Sequence, residues 1–213
     1  KEFNNAKANN EIVLVYNEIS SVEKNKAINV LISKYLDSAP EDKVLTEFIN
    51  QHIKYNLDEY GYKNIISKEA FQNQDWTKKL TYELVFDGLL LREFKKTESV
   101  TDDASGVSDK VKLKGIETQV YGNVYLLKNN NRVEGATKKV KASKREIETH
   151  SGEFKHTKNL KEHVFKESGS IKYLAQVNEL EDGVFQSQCI LIAEKIAAEI
   201  NGSLIQLYVQ YNK

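Results

Sequence analysis

The strongest constraint on this fold is a change of hydrophobic period near residue 80. From Leu80 to Phe94 the even positions Leu80, Tyr82, Leu84, Phe86, Leu90 and Phe94 are apolar, while Thr81, Glu83, Asp87 and Glu93 alternate with them. A period of two puts successive side chains on opposite faces of a pleated ribbon, so the segment reads as a long strand with one buried face. Gly88 lies inside it and marks a bulge or bend. Lys110 to Leu127 and Arg132 to Thr149 then flank Asn129-Asn130-Asn131. Three consecutive residues that tolerate left-handed backbone join the two arms into one long antiparallel hairpin. In the first arm the apolar parity moves from Val111 and Leu113 to Ile116, Val120, Val124 and Leu126 across Gly115. One inserted bulge residue causes such a displacement. The second arm is mostly polar.

Around this ribbon the periods differ. Lys1 to Asn10 is polar with one isolated aromatic and reads as a flexible tether, followed by a first strand at Ile12 to Tyr16. Ser20 and Glu23 have capping-box spacing, which predicts a helix from about Ser21 to Leu36 carrying Ala27, Ile28, Leu31, Ile32 and Tyr35 on one side. A second helix opens at Ser38-Ala39-Pro40-Glu41. Its stripe of Val44, Leu45, Phe48, Ile49, Ile53, Leu57 and Tyr60 ends at a Gly61 cap. A short strand at Lys63 to Ser67 and a polar turn with Trp76 come next. Glu98 to Lys110 lacks an apolar face and reads as a mobile loop. Beyond the hairpin, Phe154 to Ser168 fits neither period, Ile171 to Val177 alternates as a strand, and Val184 to Asn201 is an apolar helix capped by Asn201-Gly202. Leu204 to Tyr211 reads as a closing strand. The sum is one α+β domain over residues 11–213, with helices packed on one face of an antiparallel sheet.

Composition removes several classes of function. The 213 residues carry 31 basic and 31 acidic side chains, so the global positive field of a dedicated nucleic-acid binder is missing. No apolar run approaches the roughly 18 residues of a membrane helix. Cys189 is the single cysteine, which leaves no intrachain disulfide and no multi-cysteine metal site. Among ten glycines the closest two, Gly115 and Gly122, are seven apart. The dinucleotide fingerprint needs a separation of two, the nucleophile elbow four and the phosphate loop five, so all three are excluded. None of His52, His150, His156 and His163 precedes a glutamate, which excludes the zincin helix. Arg92, Arg132 and Arg145 are the only arginines, an imbalance toward lysine that suggests an AT-rich genome and carries no functional weight.

Five side-chain groups remain, each with a plain structural reading. His150, His156 and His163, with Glu146 and Glu148, are spaced unlike any metal-ligand pattern and read as solvated. His52 lies on the apolar face of the second helix and reads as a partly buried core residue. Cys189 sits among Ile190, Leu191 and Ile192, a setting that raises a thiol pKa and makes it inert. Asp102, Asp103 and Asp109 lack the spacing of a calcium loop. Lys138, Lys139, Lys141, Lys144 and Arg145 form the one basic cluster. On a strand they split between two faces and guard an edge, or they dock an anionic partner.

The order of elements resembles a family of bacterial envelope lipoproteins. The resemblance is carried by the helix ending in Gly61-Tyr-Lys-Asn-Ile-Ile, the Tyr82 to Phe94 strand, and the Tyr121-Gly-Asn-Val-Tyr-Leu-Leu-Lys strand into an asparagine turn. The late Ala193-Glu-Lys-Ile-Ala-Ala-Glu-Ile helix completes it. The layout is similar to that of the curli-secretion lipoprotein, the penicillin-binding-protein activators and TolB amino-terminal domains. It spans roughly residues 11–211 without a diagnostic motif, and it implies an extracytoplasmic protein whose lipidated cysteine would stand upstream of Lys1. No functional residue is carried over. Helix-grip folds share much of the same order, and a pocket lined by Tyr82, Phe86 and the Cys189 helix would mark such a small-molecule or lipid carrier. The closing strand speaks against it, because in that fold the long helix ends the chain. A secreted or host-interacting effector fits the composition as well. The reading that joins these points is a non-enzymatic interaction or assembly protein, with no catalytic, metal or cofactor residues. Its N-terminus would be a membrane-surface tether and its long hairpin the contact element. Its partner is another protein or a second copy, and the charge of Lys138, Lys139, Lys141, Lys144 and Arg145 selects that partner.

Overall fold

The structure, a computed structural model, describes residues 2–25, 42–76, 78–101, 108–151 and 184–211. In chain order its elements are α1 (Glu2–Ala8), β1 (Ile12–Asn17), β2 (Val22–Lys24), α2 (Asp42–Glu59), β3 (Asn64–Ile66) and α3 (Lys68–Gln72). Three long strands follow, β4 (Leu80–Thr101), β5 (Ser108–Lys128) and β6 (Asn131–Ser151), and then α4 (Val184–Tyr211). The fold class is α+β, as the periods indicate. The strand order is β3-β1-β4-β5-β6, with β2 beside β4. The sheet is mixed and not purely antiparallel: β1 runs parallel to both β3 and β4, and β2 runs parallel to β4. The cause is connectivity. The link from β1 to β3 contains α2 and returns the chain to its starting end, and a crossover of that length permits parallel neighbours.

The long ribbon follows its sequence closely, with corrections. Asn129 and Asn130 take positive φ values of 49° and 64° as a two-residue turn between the paired Lys128 and Asn131. Register slips at Lys114/Gly115, where the extra residue, Glu148, lies in β6 and not, as the parity change suggests, in β5, and again between Phe86 and Gly88. At that second slip a Cβ on Gly122 would lie 2.2 Å from the Val85 carbonyl oxygen, so only glycine admits the close approach of β4 and β5. The bulge also inverts the faces of β4. Tyr82 and Leu84 are buried before it and Leu89 and Leu91 after it, so Leu90 and Phe94 do not continue the core stripe. The expected mobile loop at 98–110 is strand at both of its ends. Glu98 to Thr101 and Ser108 to Lys110 are strand, paired down to Thr101 opposite Ser108, and residues 102–107 lie outside the described set.

One face of the sheet carries α1, α2 and α4. In α2 the buried side chains are Leu45, Ile49, Ile53 and Leu57, while Phe48 is half-buried beside the partly buried His52, ring centroids 4.4 Å apart. Val44 and Tyr60, expected on the same face, are exposed at its margins. Gly61 stops the helix in a Schellman arrangement, with Tyr62 N–H donating to Leu57 O (3.1 Å) and Gly61 N–H to Asp58 O (2.8 Å). Asn50, buried on the inner side of α2, accepts from the Tyr16 hydroxyl (3.0 Å) and the Ile19 N–H (3.0 Å). It donates to Ile19 O (2.8 Å) and so joins α2 to the end of β1.

Three expectations are corrected by packing. The N-terminal tether is helix α1, docked through Phe3 and Ala6, with the Phe3 ring 5.2 Å from that of Tyr208. The one aromatic in that polar stretch is its anchor. The predicted helix from Ser21 begins instead as strand β2, which gains the ladder along Leu89 to Leu91, and residues 26–41 lie outside the described set. The closing strand is the second half of α4. Ile192, Ile196, Ile200, Leu204 and Leu207 are all fully buried at intervals of three and four, so the helical stripe runs straight through Gly202. The expected strand at Ile171 to Val177 and the segment Phe154 to Ser168 lie outside the described residues.

Among the described residues, the other sheet face is covered at one end, by α3. Ser67 caps α3 by accepting from the Ala70 N–H (3.1 Å), where sequence suggests only a polar turn. Phe71 of that helix then packs with Val15, Leu127, Ile66 and Trp76 as a small second core.

Candidate interaction surface

Strand β6 ends the sheet among the described residues, and the basic cluster lies along it. Alternation divides the cluster as the sequence predicts. Ala136, Val140 and Ala142 are buried toward α4 with Lys138 and Lys144 half-buried on the same side, whereas Lys139 and Lys141 are exposed. Arg145 occupies the register position opposite Glu117. The cluster is therefore not one patch. Lys139 and Lys141 share the exposed side, and an exposed lysine pair on a strand that is terminal among the described residues raises the cost of indiscriminate pairing.

The three-stranded ribbon outruns the helical layer described above it. Near the start of α4, Gln188 meets the Thr118 hydroxyl in a buried hydrogen bond. From Glu117 back to Ser108 the strand continues for a further roughly 30 Å at ~3.4 Å per residue. β4 runs antiparallel to it as far as Thr101, and β6 as far as Ser151.

A second feature lies at the opposite end of the ribbon, beside the asparagine turn. There a cleft of about 330 Å³ is lined by Val15, Lys68, Phe71, Gln72, Glu83, Leu127, Asn130, Asn131 and Arg132. Glu83 reaches it from β4 with its side chain only 8% exposed, and a carboxylate so desolvated needs partners. Arg132 Nε donates to Glu83 Oε2 at 2.7 Å, Asn17 Nδ2 donates to Oε1 at 3.2 Å, and Lys68 Nζ stands 4.0 Å away. The central carbon of the Arg132 guanidinium lies over the Tyr125 ring, 3.9 Å from its centroid. The hydrogen bond donated to Glu83, more than the charge of that carboxylate, holds the guanidinium pKa above its ordinary value. With one carboxylate in its lining, the cleft has no acid–base pair; its net balance is positive. A second cleft of about 300 Å³ adjoins the turn on the side of Trp76, Lys79 and Lys128.

Sequence reasoning missed this site, and the signal was present. In a lysine-rich chain, Arg132 binds Glu83 and Arg92 binds Glu117 (2.6 Å), two of three arginines each holding a buried carboxylate. Lysine cannot offer that planar fork, which is a structural reason for arginine to stand there. The other singled-out groups fall elsewhere. Cys189 is 1% exposed within the core, and burial pushes its thiol up to about 12. His150 is a backbone position of β6 opposite Leu113, while His156 and His163 lie outside the described residues. Asp102 and Asp103 also lie outside them. Asn201 is within α4 and serves tertiary contacts, accepting from the Tyr62 hydroxyl.

Of the lining expected for a helix-grip carrier, Tyr82 and, on α4, Cys189, Ile192, Ile196 and Ile200 are buried in the core among the described residues. The closing-strand objection to that fold falls with the strand itself. Among the described residues no helix is long and apolar enough to cross a membrane.

No protein-family model matches the chain. No curated protein sequence matches it either. Among solved structures it is similar to one from Helicobacter pylori described as a neuraminyllactose-binding hemagglutinin homolog. That similarity has 12% identity and a TM-score of 0.38, covering 95% of this chain and 87% of the other. It is also similar to a minor lipoprotein from Acinetobacter baumannii, at 10% identity and a TM-score of 0.23, covering 88% and 91%. Neither likeness transfers a residue, a ligand or an activity to this chain.

Proposed function

We propose that the chain is a non-enzymatic interaction or assembly protein of the cell envelope or surface, of lipoprotein type, whose contact element is the distal β4–β5–β6 ribbon with β6, the terminal strand among the described residues. The observation that carries this reading is the length of the ribbon beyond the Gln188 contact, together with an edge strand whose outward face carries Lys139 and Lys141. An edge strand presents unpaired backbone donors and acceptors, and an incoming strand from a partner or a second copy satisfies them in register. The lysine pair then favours an acidic strand over a neutral or basic one. With α1 packed into the core, residues 2–8 are a foot of the domain and not a leash, so the reading rests on the ribbon alone.

The test uses the purified chain and the partner it retains from native envelope extract, with self-association followed by sedimentation. Lys139→Glu combined with Lys141→Glu is expected to weaken association by about tenfold at low salt, and added salt to weaken the wild type toward the variant. Equal affinity of wild type and variant at every salt concentration would remove β6 from the contact. Turnover of a substrate by the isolated chain would overturn the non-enzymatic part, and recovery in the cytosolic fraction the envelope part.

A further inference from the structure

We infer that the cleft beside the asparagine turn is a binding site for a small carboxylate with an apolar body, held by Arg132 and Lys68 above Phe71, Leu127 and Val15. The site is distinct from the distal ribbon. Its argument starts from how Arg132 is fixed. Two contacts set the guanidinium in place: Nε donates to Glu83 Oε2 at 2.7 Å, and its central carbon lies over the Tyr125 ring, 3.9 Å from the centroid. Those contacts engage one of its three nitrogens. The side chain is still 48% exposed, so the two terminal nitrogens remain for a ligand. Glu83 is in turn held by Asn17, whose amide also donates to the Leu84 carbonyl at 2.8 Å. The cation thus stands in one orientation before any ligand arrives, and such preorganisation lowers the ordering cost of binding.

Charge then selects the ligand. Arg132 and Lys68 bring two positive charges against the one negative charge of Glu83, which leaves room for one monoanion. The two terminal N–H groups of a guanidinium match the planar spacing of a carboxylate. The facing wall is apolar, with Phe71 and Leu127 buried in the small second core. A volume of about 330 Å³ sits at the lower end of small-molecule pockets and suits a body the size of one aromatic ring with a short acid arm.

The probe is phenylacetate, with phenylacetamide as its neutral isostere and inorganic phosphate as an anion lacking an apolar body, followed by backbone amide shifts on the folded chain. Phenylacetate is expected to shift the amides of Phe71, Leu127 and Arg132 saturably, with a dissociation constant on the order of 1 mM. Phenylacetamide and phosphate are each expected to bind at least about tenfold more weakly. Arg132→Gln strands the buried Glu83, so the double variant Glu83→Gln, Arg132→Gln, neutral and close in shape, serves beside it; both are expected to lose the phenylacetate shifts. Lys68→Gln, at an exposed position, should weaken binding a few-fold. Equal binding of acid and amide, binding of phosphate in preference to phenylacetate, or undiminished binding by the folded double variant would each overturn the assignment. None of these outcomes bears on association through the ribbon.

Discussion

The Tyr62 hydroxyl donates a hydrogen bond of 2.7 Å to Asn201 Oδ1, joining the residue just past the end of α2 to the middle of α4. Lys7 of α1 reaches the same oxygen at 3.5 Å and lies 5.0 Å from the Tyr62 ring centroid, so three helices meet at one side-chain amide. An asparagine followed by glycine reads as a helix cap when only neighbours in sequence are considered. Here its oxygen is spent on a partner 139 residues away, and the helix continues.

Tyr62→Phe and Asn201→Ala are each expected to lower stability by about 1 kcal/mol, a typical net value for one hydrogen bond. The pair should be non-additive in a double-mutant cycle, read from urea midpoints, because each substitution removes the same bond. Full additivity would mean that the two residues act separately.

Glycine positions give a prediction of opposite signs. Gly202 lies within α4, and a Cβ there meets nothing within 4 Å, so Gly202→Ala is expected to raise stability by about 0.5–1 kcal/mol. Gly122→Ala should destabilise strongly, because its Cβ would press on the Val85 carbonyl and on Phe86 Cα at the bulge. Thermal melting of the two variants distinguishes them directly. Were Leu204 to Tyr211 a strand entered through a glycine turn, alanine at 202 would be harmful.

The core of α2 can be ranked by substitution. Ile53 is fully buried, and Ile53→Ala is expected to cost about 2–5 kcal/mol. Phe48 stands half-buried against His52 at the margin, so Phe48→Ala should cost less despite the larger side chain. A reversed order in chemical denaturation would place Phe48 in the centre of the core.

Much of this architecture is legible in sequence because its periods are clean. The α2 stripe and the asparagine turn are local patterns that the fold preserves. What is not legible depends on distant partners. Phe3 looks like a lone aromatic until Tyr62 and Tyr208 surround it, and the apolar parity of β4 cannot show its inversion at Gly88 without the register of β5. Two residues of opposite charge, Glu83 and Arg132, sit 49 apart in sequence and meet only when the hairpin folds, so the one linear trace of the cleft is an arginine in a lysine-rich chain. The basic cluster shows the converse case. It is contiguous in sequence and divided in space, because strand alternation separates neighbours.

Stability should fall at alkaline pH. Burial pushes the Cys189 thiol up to about 12 from an ordinary 9.0, and burial also raises the phenols of Tyr16, Tyr62 and Tyr82 well above 10.0. The folded state therefore keeps these protons longer than the unfolded chain, which binds fewer of them above the ordinary values. The contribution is fully present below about pH 9 and is lost as pH rises through the folded values. Urea midpoints are expected to show no loss from these groups up to about pH 9 and a steady decline above it, with the slope reduced in Cys189→Ala. A slope between pH 9 and 12 unchanged by that substitution would show that the thiol ionises as freely in the folded protein.

Truncating the distal ribbon tests the account most directly. Val120, Val124 and Leu126 are core residues, so the whole hairpin cannot be removed without losing the fold, but its outer part can. Lys95 and Lys114 are register partners, so replacing residues 96–113 by Asn-Gly closes β4 onto β5 with a tight turn. The measurement is the affinity of wild type and truncated chain for the same retained partner, or for a second copy, at matched folded concentration. The account predicts a truncated chain with the native melting cooperativity and association reduced below detection. A truncated chain that folds and binds with undiminished affinity would contradict it.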